Sequence, residues 1–313
     1  MDNKEIDLVY LWVDGSDPQW LRKKQLFTGA PNDNSEMNSV ARYADNDELK
    51  YSLRSVEKYV PWIRKIFIVT DSQVPPWLNT EHPKIKIIDH KDIIPAEVLP
   101  VFNSSVIEYY LYKIPGLMEH FLFSNDDMFF NASLSPDFFF LGDYPIVRLK
   151  RKPLGKWHYR IKDWLGKHQG QYRNMVHHGA LTVEKIFGRY YPGVPHHNID
   201  GYRKWDYQKA VEEIFSDQVR KSQTSRVRTY GDVHRSAFSY YALAIGHAHL
   251  RYVGRRESMR ILIYRYDDFM KYLKKYRPKL FCLNDDEHGT AEHREKIVPF
   301  LEKMFPDKSA FEK

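Results

Sequence analysis

Residues Ile6 to Val13 (IDLVYLWV) form a continuous apolar and β-branched run, the pattern of a buried strand, and the following DGSDP supplies a turn. After a polar stretch from Gly29 to Ser39, Asp45 and Glu48 stand at capping-box spacing ahead of a helix with Leu49, Leu53 and Val56 on one face. Pro61 ends it. Lys65 to Thr70 (KIFIVT) and Ile85 to Asp89 (IKIID) read as further strands, and Ser105 opens a helix with Ile107, Tyr110, Leu111 and Ile114 on one face. Phe121 to Ser124 closes the series as a fourth strand. This alternation predicts an α/β fold, a Rossmann-like, mostly parallel sheet with helices on its faces. The second half carries helical patterns at about Trp205 to Lys221, Asp232 to Ile245 and Glu292 to Met304, joined by Gly- and Pro-containing connections near Tyr191 to Pro195. There is no internal repeat, low-complexity tract or long linker. The expected organisation is a nucleotide-binding α/β core over 1–147 and a basic, more helical lobe over 148–313 that completes the same unit.

A chain of 313 residues, 42% of them apolar, can bury one large core or a core plus a smaller lobe. No basic segment followed by an apolar one opens the sequence, and no apolar run approaches the roughly 18 residues of a membrane span, so a cytoplasmic protein is expected. Cys282 is the only cysteine. That excludes an intramolecular disulfide and any multi-cysteine zinc site, fits a reducing compartment, and leaves oxygen or imidazole to hold a metal. The net charge of +7 favours anionic partners. Basic residues concentrate between Arg148 and Arg173 and again between Arg220 and Arg228. The first cluster interleaves Trp157, Tyr159, Trp164 and Tyr172, a mixture that suits a sugar chain, a lipid headgroup or single-stranded nucleic acid, and equally a solvated loop.

The stretch Phe121 to Phe130 (FLFSNDDMFF) runs an apolar strand straight into Asp126 and Asp127. Ligands of an open α/β sheet bind outside the carboxyl ends of its strands, so carboxylates there can hold a divalent metal against a nucleotide diphosphate. An enzyme acting on a nucleotide sugar is one reading, and a strand ending in an Asp-rich turn accounts for the decapeptide equally well.

Four blocks together resemble the Stealth family of sugar-phosphate transferases. They are IDLVYLWVDGSDPQW (Ile6 to Trp20), ARYADNDELKYSLRSVEKYVPWIRKIFIVTDSQVPPWLN (Ala41 to Asn79) continuing through LPVFNSSVIEYYLYKIPGL to FLFSNDDMFF, the group HHGAL, VPHHNID and DVHRSAFSYYALAIGHA (His177 to Ala248), and CLNDDEH (Cys282 to His288). The family includes capsule and surface polysaccharide phosphotransferases and the catalytic core of the animal N-acetylglucosamine-1-phosphotransferase. The resemblance implies a GT-A-like fold and transfer of a sugar 1-phosphate from a UDP-sugar to an acceptor hydroxyl, with a phosphodiester formed and UMP released. It implies a polysaccharide or lipid-linked oligosaccharide acceptor, peripheral contact with an anionic membrane, and no nucleic acid. A metal-dependent GT-A glycosyltransferase releasing UDP and a non-enzymatic polysaccharide- or nucleic-acid-binding module are the alternatives.

On this resemblance Asp126 and Asp127 would ligate Mg²⁺ or Mn²⁺, with Asn284 and Asp285 arriving from the C-terminal end and Asn125 orienting the pair or touching the donor. Capping accounts for one of the NDD carboxylates as well. One of His196 and His197 would be the general base, and alignment register with Pro195 favours His196. Arg228 would clamp phosphate, with Arg226 and Arg235 as competitors. Asp14, Gly15 and Asp17 would lie at the nucleotide end of the donor site, although DGSDP is also an ordinary turn. Arg42, Asn46 and Arg54 would contribute donor contacts, Glu48 being accounted for by capping. His177 and His178 would line the acceptor cleft or pack in the interior.

Overall fold

The computed structural model describes residues 4–29, 41, 43–152, 154–165 and 170–313. Arg42, and parts of the basic segment, lie outside them. The central sheet joins β3 (Ile85–Asp89), β2 (Ile66–Thr70), β1 (Ile6–Leu11), β4 (His120–Asn125) and β9 (Asp200–Arg203) in that order. The first four are parallel, and β9 closes one edge antiparallel to β4.

Alternation of side chains across the pleat sends neighbouring residues of β1 into different cores. Ile6, Leu8 and Tyr10 join Ile66, Ile68 and Leu122 under Leu49, Leu53 and Val56 of the helix Glu48–Tyr59. Val9 joins Phe67, Val69, Phe121 and Phe123 on the opposite face, beneath Val106, Ile107 and Tyr109 of the helix Ser104–Tyr109 and residues of the helix Ser236–Ala244. Both faces are covered, which is why these strands read as unbroken apolar runs. The one charge inside β1, Asp7, is fully buried and fully paired. Arg64 donates to both its oxygens at 2.9 and 2.7 Å, and the Lys65 and Met118 amides add two more bonds.

Strands of the second half complete the fold. β5 (Met128–Phe130) leaves the central sheet to pair antiparallel with β12 (Leu280–Asn284), which is parallel to β11 (Ser258–Leu262). This small sheet packs Phe129, Met259, Ile261, Phe281 and Leu283 against the helices Phe269–Tyr276 and Ile297–Met304. β7 (Tyr144–Arg151) pairs with β6 (Phe140–Leu141), β8 (Gly193–Pro195) and β10 (His249–Tyr252).

The predicted first-half strands appear within two residues of their expected limits, and the Glu48 helix ends at Tyr59, ahead of Pro61. Three expectations differ. The Asp45 and Glu48 capping box does not form. Asp47 takes the cap position at φ 61°, while both Glu48 carboxylate oxygens turn back to accept from the Asn46 amide and Nδ2 at 2.6 and 2.8 Å. The helix opening near Ser105 ends at Tyr109 and passes into a 3₁₀ turn. The second half carries the expected helices and others besides, at Trp157–Trp164, Gln171–Phe187 and Phe269–Tyr276, and it is tied to the first half by β7, which spans 147/148, and by β9 and β12, which pair directly with first-half strands.

Candidate active site

The strand order reverses at β1, whose neighbours β2 and β4 lie on opposite sides, so the loops leaving β1 and β4 diverge and leave a crevice at the carboxyl ends. A cavity of about 230 Å³ occupies that crevice. Leu11 at the end of β1 and the following Trp12 and Val13 line it, with Val69 from β2, His90 just beyond β3, Asn125 at the end of β4 and Asp126 and Asp127 in the turn that follows. Trp20, Tyr43 and Phe102 form an aromatic wall, with ring centroids 5.1 and 5.5 Å from Trp20 to the other two.

Backbone pairing brings the distant segments in. Cys282 pairs with Met128 across the antiparallel β5 and β12, and the Leu283 amide donates to the Asp127 carbonyl at 2.9 Å. Asn284 and Asp285 are thereby set beside Asp126 and Asp127, and all four line the cavity. Asp200 of β9 pairs with Phe123 of β4, so the loop between β8 and β9 passes the end of β4. That loop places His197 on the cavity and turns through it with φ 56°, a left-handed conformation uncommon for a residue other than glycine. The segment before the helix Ser236–Ala244 supplies Arg228, His234 and Arg235. It is pinned to the Phe102 to Ser104 corner: Phe102 N–H donates to Arg226 O at 2.8 Å, Asn103 Nδ2 to Asp232 Oδ2 at 2.8 Å, and Arg228 to the Ser104 hydroxyl.

Four carboxylates, Glu48, Asp126, Asp127 and Asp285, line one side, with Asp45 close behind them. Burial holds the Asp126 carboxyl well above the usual range, with the charges of Asp127, Glu48 and Asp45 adding to it. Burial likewise lifts Asp127 to about 6 and Asp45 to about 6, and Glu48 to about 7. Asp127 Oδ2 accepts from the Cys282 thiol at 3.1 Å, and Arg294 Nε donates to Asp285 Oδ2 at 2.6 Å. The other oxygen of each, Oδ1 of Asp127 and of Asp285, is buried without a hydrogen-bond partner. Unpartnered carboxylate oxygens gathered in a cleft are what a hard divalent cation requires, so these residues fit one.

The other side is basic but its imidazoles are neutral. Burial pushes His197 well below the usual histidine range, aided by the charges of Arg260 and Arg235, and it does the same to His234. Arg235 is buried, paired with Glu108 at 3.2 Å, and its guanidinium lies 4.2 Å from the Phe123 ring centre.

Several expected site residues lie elsewhere. His196, favoured by register, is fully buried, with Nε2 at 2.8 Å from Asp200 Oδ1 and Nδ1 at 2.8 Å from the Ser258 hydroxyl. Both ring nitrogens are engaged, whereas His197 faces the cavity. Arg54 does not reach it: its guanidinium grips both oxygens of Glu312 at 2.8 and 2.7 Å and the Phe305 carbonyl at 2.8 Å. Asp14, Gly15 and Asp17 do not line it. Asp14 Oδ1 accepts from the Ser16 amide and hydroxyl, and Asp17 caps the helix Pro18–Thr28 through the Gln19 amide. Gly15 donates its N–H to Tyr43 O at 2.8 Å, so close that a Cβ there would collide with that carbonyl. Asn46 lines the cavity, bonded to Glu48. His177 is stacked on Tyr159 at 3.8 Å and hydrogen-bonded to Tyr190, on the helix Gln171–Phe187.

Two lining residues and the aromatic wall carry no signal in the sequence that sets them apart: Glu48 reads as a cap, and His234 has no motif of its own, whereas Tyr172 of the basic aromatic cluster does line the cavity. The expectation of oxygen or imidazole ligands also left sulfur out of the site. Cys282 shares a face of β12 with Asn284, the i and i+2 positions of a strand, and that spacing was the available signal.

Sequence profiles described as Stealth protein conserved regions 1, 2 and 4 match residues 4–30, 42–146 and 271–313. A capsular polysaccharide phosphotransferase of Streptococcus pneumoniae is 31% identical over 98% of this chain and 99% of its own. The chain belongs to the Stealth family. An exopolysaccharide phosphotransferase of Lactiplantibacillus plantarum is 31% identical over 99% of this chain and 96% of its own. One from Streptomyces coelicolor is 35% identical over 98% of this chain, which spans about half of that relative, 51%. Among solved structures, galactosyltransferase LgtC in complex with donor and acceptor sugar analogues aligns over 97% of this chain and 96% of its own, at 10% identity and a TM-score of 0.46, a likeness too slight to build on. No helix among the described residues of this Stealth protein is long and apolar enough to cross a membrane.

Proposed function

We propose that this Stealth protein transfers a sugar 1-phosphate from a UDP-sugar to a hydroxyl of a polysaccharide or lipid-linked oligosaccharide, forming a phosphodiester and releasing UMP. The observation that carries the reading is the meeting, in one cavity, of unpartnered carboxylate oxygens, a neutral imidazole and two guanidinium groups. Asp126, Asp127 and Asp285 would hold Mg²⁺ or Mn²⁺, with Asn125 and Asn284 beside them. Such an ion supplies charge neutralisation to the diphosphate. Arg228 and Arg235 face the same space and offer forked donors to phosphoryl oxygens. The acceptor hydroxyl attacks the phosphorus next to the sugar, its proton passes to a ring nitrogen of His197, and the bond from that phosphorus to the oxygen of UMP breaks. A neutral imidazole is required for that step, and burial beside Arg260 and Arg235 keeps His197 in that form. The aromatic wall of Trp20, Tyr43 and Phe102 offers a flat apolar surface to the nucleobase.

The acceptor is made at a membrane on this reading, and the helix Trp157–Trp164 suits contact with an anionic one. Trp164 is 84% exposed, Trp157, Ile161 and the following Leu165 are exposed too, and Lys152 and Lys162 flank them.

The deciding assay incubates a panel of UDP-sugars and acceptor with Mg²⁺ or Mn²⁺ and identifies the nucleotide released. UMP is expected, and its formation should fail in Asp127→Ala. UDP as the sole nucleotide product would replace phosphotransfer with glycosyl transfer, no nucleotide released beside retained polysaccharide binding would leave only a binding module, and unaltered UMP formation in Asp127→Ala would discard the site assignment.

A further inference from the structure

We infer that Asp127, His197 and Cys282 form a second kind of metal site, one selective for a thiophilic dication of the zinc class, whose filling shuts the phosphotransfer site. One ligand atom from each residue, a carboxylate oxygen, an imidazole nitrogen and the Cys282 sulfur, lies within 4.8 Å of the other two. The sulfur and Asp127 Oδ2 are already 3.1 Å apart. The three come from separate segments, the turn between β4 and β5, the loop between β8 and β9, and β12, so the fold and not local sequence gathers them.

Bonds of about 2.0–2.3 Å from zinc to these atom types place tetrahedral ligands roughly 3.3–3.8 Å from one another. The widest separation must therefore close by about 1 Å, within reach of side-chain rotation. Three protein ligands with a fourth position open to the cavity is the arrangement of an accessible zinc centre, and Asp127 and His197 both line the cavity, which gives an ion its way in. Asp127 Oδ1, buried and without a partner, is a second free donor at the same point.

Softness separates this set from the oxygen-lined one. Magnesium takes oxygen in near-octahedral array and leaves thiol and imidazole alone, whereas zinc is drawn to both. His197 is already neutral and needs no deprotonation. The thiol is held protonated, first by burial and then by the Asp127 charge, and a dication at its sulfur reverses that balance. On binding, the sulfur lone pair goes to the metal and the thiol proton goes to solvent, with no change of oxidation state. Both ions draw on Asp127, and the one that also holds His197 and Cys282 is bound the more tightly, so a zinc-class ion prevails over magnesium there. The inhibitory consequence rests on the proposed phosphotransfer, since a metal-bound His197 has no nitrogen to spare for the acceptor proton. The site itself does not rest on it.

The test titrates the metal-free full chain with Co²⁺ as a spectroscopic stand-in for Zn²⁺. A thiolate-to-cobalt charge-transfer band in the near ultraviolet is expected to saturate at one equivalent, to be bleached by Zn²⁺ and to survive excess Mg²⁺. Cys282→Ser should abolish the band and weaken Zn²⁺ by at least about tenfold, since replacing even an outer-sphere partner costs that much. If Cys282→Ser does not fold, His197→Ala must instead weaken Co²⁺ by a similar factor while the band persists at saturation. Absence of the band from the wild type, its persistence in Cys282→Ser, or unchanged Co²⁺ affinity in His197→Ala would overturn the site. A UDP product would remove the phosphotransfer reading and leave this spectrum as expected.

Discussion

Replacing Glu48 by Gln should make the protein more stable at pH 8 and change little at pH 5. The Glu48 side chain is 5% exposed and its pKa stands at about 7 against an ordinary 4.5. Burial is the first cause and the Asp45 charge adds to it, against the two hydrogen bonds from Asn46, which pull the other way. The folded pKa lies above the unfolded one, so between the two values the folded state binds more protons. Stability therefore falls as pH rises from 4.5 to about 7. Below that window Glu48 is protonated in both states and costs nothing; above it the buried charge carries its full cost. At 1.36 kcal/mol per unit the 2.5 units amount to at most about 3.4 kcal/mol. Part of that belongs to the charges of Asp45 and Asp126, which the same protons relieve, leaving about 2 kcal/mol for Glu48 alone. Glutamine removes the charge, keeps one acceptor for Asn46, and pays a pH-independent penalty of about 1 kcal/mol for the other bond. The readout is therefore the slope. Thermal melts in chelator from pH 5 to pH 8 should separate the two proteins by about 4 °C more at the alkaline end. Millimolar Mg²⁺ should stabilise the wild type more at pH 8 than at pH 5, because a cation in the cavity offsets the same repulsion. A separation that does not vary with pH would mean that Glu48 is not a charge confined in this cavity, and the account of the carboxylate cluster would fail.

His197→Ala should cut turnover by roughly 10²–10⁴ with the fold intact, the usual size of a lost general base, while His196→Ala should act mainly on stability because its imidazole is buried and bonded through both nitrogens. Turnover of each variant, normalised to its folded fraction, decides this, and the opposite ranking would return the base to His196. Arg54→Ala should cost about 3 kcal/mol by leaving the buried Glu312 carboxylate without its partner, with KM for the donor unchanged; a raised KM at unchanged stability would restore Arg54 to the donor site. Trp164→Glu should weaken binding to anionic vesicles by about tenfold or more, from the lost burial of one large side chain, and equal sedimentation of both proteins with neutral and anionic vesicles would remove the membrane contact.

Strands buried on both faces announce themselves, and β1 shows why. Ile6, Leu8 and Tyr10 serve one core and Val9 the other, so no polar position interrupts the run except Asp7, whose charge Arg64 cancels. β7 is the opposite case. Its Arg148 and Lys150 read as surface charge, yet Arg148 is 1% exposed, paired with Glu257 at 2.9 Å and lying 3.9 Å from the Phe138 ring centre. Nothing local in RLKR distinguishes a buried arginine from a solvated one. β8 and β9, three and four residues long, are too short to carry a period. The helix Gln171–Phe187 did carry one: Val176, Ala180 and Val183 face the core at helical spacing, and Gly179 lets Ala237 of the neighbouring helix come so close that a Cβ would stand 2.8 Å from it. The run of basic residues leading into it, Arg148 to Arg173, has the composition of a solvated loop and masks that period.

The site divides along the same line. Asp126 and Asp127 were visible because position at a strand end is a local property, and so was the acidic group at Asn284 and Asp285. Which histidine faces the cavity is not local. It depends on the chain entering a left-handed turn at His197, and that turn is imposed by pairing of β8 with β7 and of β9 with β4 on its two sides. Sequence spacing places His196 and His197 side by side; the strands around them face one toward Ser258 and Asp200 and the other toward Asp127. Glu48 was hidden differently, because a capping box explained it without remainder, and only the tertiary burial of its carboxylate shows that the acid stands in the cavity. Residues that answer a local need, as Asp14, Gly15 and Asp17 answer a turn and a helix start, match a ligand-binding loop in sequence just as well. What separates the two classes is an unspent polar group. Asp14 and Asp17 use their oxygens on the Ser16 and Gln19 amides, whereas Asp127 and Asp285 each keep a buried oxygen without a partner. Leaving such an atom unpaired costs about 1–3 kcal/mol, and a fold carries that cost where a ligand is to meet it.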